Sequence, residues 1–164
     1  MISESATEKL EGVDERLLEK VSNLTHQTTL FHKRIIEDFG GHGGLRDASA
    51  LNSAISAPFV TYSGEDLNPT IFDKAACLWR SLSQNHPFID GNKRVSFGMA
   101  TVFLFEQGLG IKDEVTDDEI VELCMDIAEG RKSHTEIFQW IGNNTDRASA
   151  RSFREVMKTL HYVE

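Results

Sequence analysis

Apolar positions recur at spacings of three and four along nearly the whole chain, which predicts helices. Asp14 is placed to cap a first helix carrying Leu17, Leu18 and Val21. A second stripe is formed by Leu24, Phe31, Ile35 and Phe39, with Leu30 and Ile36 beside it. It stops at Gly40-Gly41-His42-Gly43-Gly44, a glycine run that belongs in a loop. Asp47 suits the N-cap of a short helix through Ala50, Leu51, Ala54 and Ile55, closed by Pro58.

The pattern changes at 59–69. Phe59, Val60, Thr61 and Tyr62 favour strand and Gly64 favours a turn, so a small hairpin or flap is expected there. Helix resumes after Pro69 with Ile71, Phe72, Ala75, Ala76, Leu78, Trp79 and Leu82. It ends before Pro87, which pushes His86 towards extended geometry. Gly91-Asn92 opens a further helix through Val95, Met99, Val102, Phe103 and Leu104 to Gly108. That helix is apolar around much of its circumference, the mark of a central element. Thr116 with Glu119, and Ser133 with Glu136, read as capping boxes for two more helices. A last helix places Phe153, Val156, Met157 and Leu160 on one face. The predicted class is all-α with one small β-hairpin.

Composition narrows the function. The 164 residues suit one domain. Lys and Arg number 17 against 26 Asp and Glu, a net charge of −9. Nucleic acid and anionic membranes both call for a basic face, so neither is the expected partner. Cys77 and Cys124 sit in apolar helical patterns and read as core thiols. The polar, acidic start MISESATEKLEG is neither a signal nor a transit peptide, and the expected location is cytoplasmic. There is no phosphate-binding GxxxxGK[ST], no GxGxxG after a strand, no HExxH and no GxSxG elbow.

One segment concentrates chemistry: His86-Pro87-Phe88-Ile89-Asp90-Gly91-Asn92-Lys93-Arg94. Its second half is a helix amino terminus, whose first N–H groups lack intrahelical partners and attract anions. Gly91 lets a ligand approach the backbone. Asn92 offers an amide donor, and Lys93 and Arg94 are cations at the end where the helix dipole disfavours them. A bound anion would resolve that conflict. Asp90 is a candidate Mg²⁺ ligand, since Mg²⁺ is held by one or two carboxylates plus phosphate oxygens; its bland role is to cap the helix. His86 is the candidate general base. Phe88 is expected to anchor the loop in the core. Together these groups describe phosphoryl or nucleotidyl transfer.

This nonapeptide resembles the signature of the Fic/Doc (Fido) superfamily, His-x-Phe-x-Asp/Glu-Gly/Ala-Asn-Gly/Lys-Arg. The likeness extends to GGHGGLRDASALNSAISAP at 40–58, GEDLNPTIFDKAACL at 64–78 and IVELCMDIAEGRKSHTEIFQWI at 120–141. It implies a compact helical Fido fold with a β-hairpin flap at about 59–66 that positions a target segment by strand-like pairing. It divides the chain into an N-terminal extension (1–23), the Fic/Doc domain (24–142) and a C-terminal helix (143–164) packed on the same domain. It implies that His86 deprotonates a target hydroxyl, that Asp90 serves Mg²⁺, and that Gly91, Asn92, Lys93 and Arg94 hold the phosphates of ATP.

Two positions set the branch. AMP-transferring Fic members usually carry Gly where this chain has Lys93, and a second Arg where it has Phe97. Lys93 resembles the death-on-curing (Doc) branch, whose chemistry is γ-phosphoryl transfer to a translation elongation factor. The reading is therefore a Doc-like transferase, the toxin of a toxin–antitoxin pair, moving the γ-phosphate of ATP to a Ser or Thr hydroxyl. AMP transfer, and a catalytically silent nucleotide- or partner-binding module, are the rival readings. Thr7-Glu8-Lys9-Leu10-Glu11-Gly12 also fits an inhibitory motif, [Ser/Thr]-x-x-x-Glu-[Gly/Asn], of some Fic proteins. A solvated acidic start is its bland reading.

Overall fold

The structure is a computed structural model and describes residues 14–147, 155 and 158–163. The Thr7–Gly12 motif, and Phe153, Val156 and Met157 of the expected last helix, lie outside the described residues.

The two apolar stripes at the start form a single helix, α1 (Glu15–Phe39, 25 residues). Nothing between Val21 and Leu24 breaks a helix, and the chain turns without interruption through Ser22 and Asn23. Asp14 caps it, accepting from Arg16 N at 3.0 Å. Leu24, Thr28, His32 and Ile35 face inward, while Leu18 and Leu30 are exposed. The buried Thr28 hydroxyl is satisfied by Leu24 O at 2.7 Å.

Asp47 caps α2 (Ala48–Ser56) by accepting from Ala50 N at 2.9 Å. A 3-10 turn with Pro58 follows. The expected flap is present: β1 (Thr61–Tyr62) pairs antiparallel with β2 (Glu65–Asp66). Ser63 and Gly64 turn between them at φ 51° and 81°, the left-handed pair that matches hairpin twist. Lys74 ties the flap base by bonding Asp66 and the Asn68 carbonyl.

α3 (Ile71–Asn85) starts with a Thr70–Asp73 capping box. α4 (Asn92–Glu106) is the central helix, with nine buried residues, and packs most extensively on α3. Gly98 lets α1 approach it closely: a Cβ there would stand 2.2 Å from the Phe31 ring. α5 (Asp117–Ala128) and α6 (His134–Asn144) open with the two expected capping boxes. The core joins Trp79 to Phe97 at 5.3 Å and to Trp140 at 5.8 Å between ring centres.

A second two-stranded sheet was not legible in the sequence. β3 (Gly110–Ile111) pairs with β4 (Thr145–Asp146), because the end of α6 brings distant backbone alongside. Leu160 sits in a 3-10 turn (Thr159–Tyr162), not an α-helix. Cys124 is buried, Cys77 half-buried, and both are free thiols. Among the described residues, no helix is long and apolar enough to cross a membrane.

Candidate active site

The loop between α3 and α4 is built against the chain that follows the glycine run. Leu45 bridges Phe88 in antiparallel fashion. Ile89 N donates to Gly44 O at 3.0 Å, and Arg46 N and Asp47 N both donate to Pro87 O, at 2.8 and 3.1 Å. Phe88 anchors the loop as expected: it is 2% exposed and stacks on His32 at 3.9 Å with planes 7° apart.

His86 ends α3 in the left-handed region, φ 46° and ψ 56°. This corrects the expectation of extended geometry. Pro87 disfavours the right-handed helical region for its neighbour, and here the helix ends in the left-handed region, a common helix ending, rather than in extended backbone. For a non-glycine residue that conformation costs about 1–2 kcal/mol. Arg46 holds it in place: Nε donates to His86 O at 2.6 Å and Nη2 to Asn85 O at 2.9 Å. Arg46 thus satisfies two carbonyls at the negative end of the helix. The imidazole is on the exposed side. Arg46 was missed as a site residue, although it stands in the stretch that carries the family likeness.

Asp90 does not cap α4; the N-cap is Gly91, at φ 78°, with no side-chain cap. The Asp90 carboxylate instead accepts Gly91 N at 2.7 Å and His42 N at 3.3 Å. These amides, Gly91 foremost, hold it below the ordinary carboxylate range despite some desolvation, with Arg94 and His42 charge assisting. The glycine run is therefore a wall of the site rather than a plain turn. A Cβ on Gly41 would stand 2.6 Å from Asp90 Oδ2, and φ there is 111°. His32 Nε2 lies 2.9 Å from Asp90 O. A carbonyl only accepts, so that nitrogen carries the proton.

Asn92 is occupied. Its Nδ2 donates to Phe88 O at 2.9 Å and its Oδ1 accepts Phe88 N at 3.0 Å. The amide locks the loop, leaving one N–H for any ligand. Arg94 is half-buried, and its Nε donates to Leu160 O at 3.0 Å. Lys93 is half-buried, close enough to α5 for its charge to act on the Cys124 thiol; burial nevertheless drives that thiol far above its ordinary range. Phe97 is fully buried in the core against Trp79.

Asp90, Lys93 and Arg94 stand at the amino-terminal end of α4, whose first-turn amides no side chain among the described residues caps, and exposed His86 ends the helix before it. A model of the Fic/DOC family matches residues 23–104, from α1 through α4. The chain belongs to the Fic/DOC family. It is also 37% identical over 90 residues to Toxin Doc of Mycolicibacterium smegmatis, a match covering 55% of this chain and 69% of that protein. The family stretch contains the whole His86–Arg94 loop, the glycine wall and the flap. α5, α6 and the 158–163 segment lie beyond it.

Among the described residues, no group of three His, Cys, Asp or Glu side chains is placed to hold a metal ion. Asp90 is a single ionised carboxylate beside the amino terminus of α4. That donor set fits a Mg²⁺ held jointly with phosphate oxygens.

Proposed function

We propose that this Fic/DOC protein transfers the γ-phosphate of ATP to a Ser or Thr hydroxyl of a target protein, as the toxin of a toxin–antitoxin pair. The observation that carries the reading is the α4 amino terminus: no side chain among the described residues caps it, and Asp90, Lys93 and Arg94 stand beside it. Phosphate oxygens on those amides complete the helix end and offset the two cations.

Exposed His86 takes the proton from the target hydroxyl. The hydroxyl oxygen forms its bond to the γ-phosphorus, and the bond from that phosphorus to the bridging oxygen breaks, releasing ADP. Lys93 and Arg94 neutralise charge on the moving group. Asp90 would hold Mg²⁺, which supplies further charge neutralisation on the phosphates. The flap, with Tyr62 74% exposed, offers backbone edges for an extended target segment.

Burial of Phe97 in the core favours γ-transfer over AMP transfer, since position 97 offers no second phosphate clamp. The similarity to a protein named Toxin Doc supports the toxin role, and with it an antitoxin partner and action in the cytoplasm.

The test incubates the protein, beside His86→Ala, with a cell extract and ATP labelled at the α- or the γ-phosphate. Label passing to protein from the γ-position only, and lost in His86→Ala, is expected. Transfer of α-label would mean AMP transfer; no transfer from either would leave a silent binding module.

A further inference from the structure

Arg94 is held by a segment 66 residues further along the chain. Its Nε donates to Leu160 O at 3.0 Å, and its guanidinium carbon lies 5.3 Å from the centre of the Phe39 ring. The turn carrying Leu160 is fastened independently of Arg94. Leu160 and Val163 are 1% and 0% exposed. Thr159, itself fully buried, donates from Oγ1 to Asp117 Oδ1 at 2.8 Å, at the start of α5. The His161 ring lies 6.3 Å from Phe39, on the same aromatic ledge as the guanidinium.

A guanidinium bound at Nε and resting on a ring has lost most of its rotational freedom. Its paired Nη edge has no acceptor among the described residues, and its charge still reaches Asp90. That edge is the fork that matches two oxygens of a phosphate. An arginine already ordered in the free protein loses less entropy when the anion arrives.

We propose that the Thr159–Val163 segment is a positioning element of the anion site: the Leu160 carbonyl aims the free Nη edge of Arg94 at phosphate bound on the α4 amino terminus. This rests on the nucleotide reading above. The family match ends at residue 104, so the aiming segment is supplied by chain outside the matched stretch. Leu160 and its neighbours touch no reacting atom; they act through Arg94.

The test is a double-mutant cycle on the full chain. Mg·AMPPNP is titrated calorimetrically into the wild type, Arg94→Ala, the pair Leu160→Ala with Val163→Ala, and all three changes together, with thermal melts as fold controls. Loosening the segment is expected to weaken binding about three- to tenfold, with Arg94→Ala adding little in that background. Leu160→Met with Val163→Ile should restore wild-type affinity. Equal losses from Arg94→Ala in both backgrounds would overturn the positioning role while leaving the nucleotide reading intact. A wild type that does not bind Mg·AMPPNP would overturn both. If the Leu160/Val163 variant does not fold, Thr159→Val, which removes only the tether to Asp117, enters the same cycle.

Discussion

Arg46 donates to the backbone carbonyl of His86 at 2.6 Å, so the candidate general base is held through its main chain by a residue forty positions earlier. The same guanidinium bonds Asn85 O. Removing it leaves two helix-end carbonyls to water and a left-handed residue without its restraint. Arg46→Ala is expected to reduce stability by about 1 kcal/mol, since the contacts are solvent-exposed. Transfer should fall by more than that loss explains, because His86 loses its orientation. Comparison of denaturation curves with turnover checks this; activity that merely tracks the folded fraction would reject the orienting role. Arg46→Lys reaches one carbonyl at most and should be intermediate.

Asn92 should matter more for the loop than for the ligand. Its amide bonds both the N–H and the C=O of Phe88. Asn92→Ala is expected to destabilise by about 1–3 kcal/mol, the range for leaving half-buried polar groups unpaired. Asn92→Asp keeps the acceptor but turns a carboxylate towards Phe88 O, and should be no better than Ala. Urea unfolding of the two variants decides; wild-type midpoints would mean the clamp contributes nothing.

His32 makes the loop sensitive to acid. Burial lowers its pKa from the ordinary 6.5, partly opposed by the Asp90 carbonyl and charge. Below about pH 6.5 the unfolded chain takes a proton that the native state resists. Stability is therefore full above that pH and falls as pH drops towards the lowered native value. Melting temperatures measured between about pH 7 and pH 5 should decline less in His32→Gln than in the wild type. Parallel declines would assign the acid sensitivity to other groups.

Gly98 is expected to resist a side chain. Alanine favours a helix over glycine by about 1 kcal/mol, but a Cβ there would stand 2.2 Å from the Phe31 ring. Overpacking of this kind costs about 1–3 kcal/mol, so Gly98→Ala should be net destabilising by up to about 2 kcal/mol. The combination with Phe31→Ala should cost less than the sum of the two single changes, as read from unfolding midpoints.

Much was legible because it is local. Three- and four-residue spacing marked the helices. Side chains at fixed offsets marked the Thr116–Glu119 and Ser133–Glu136 boxes, and Ser63-Gly64 fell where a flap needed its turn. The segment from His86 to Arg94 could be picked out as the candidate site because its polar groups and the start of α4 are contiguous in the chain. The β3–β4 pairing escaped because its strands are brought together only by the packing of α6. The two apolar stripes that meet between Val21 and Leu24 run as one helix because a change in apolar phase does not stop a helix that lacks a breaker.

The sequence by itself determined the helical class, the flap and the family likeness of the segment from His86 to Arg94. Tertiary structure decided what each polar group of that segment is free to do. Asn92 is spent on Phe88, Asp90 is held by the amides of Gly91 and His42, His86 is fastened by Arg46, and Arg94 leans on Leu160. A motif fixes which groups lie along a few turns of chain. Which of their donors and acceptors remain unpaired depends on backbone from elsewhere in the fold, because packing decides which polar atoms meet a partner: the Asn92 amide finds the Phe88 backbone, whereas buried Trp79 Nε1 and Ser83 Oγ find none among the described residues.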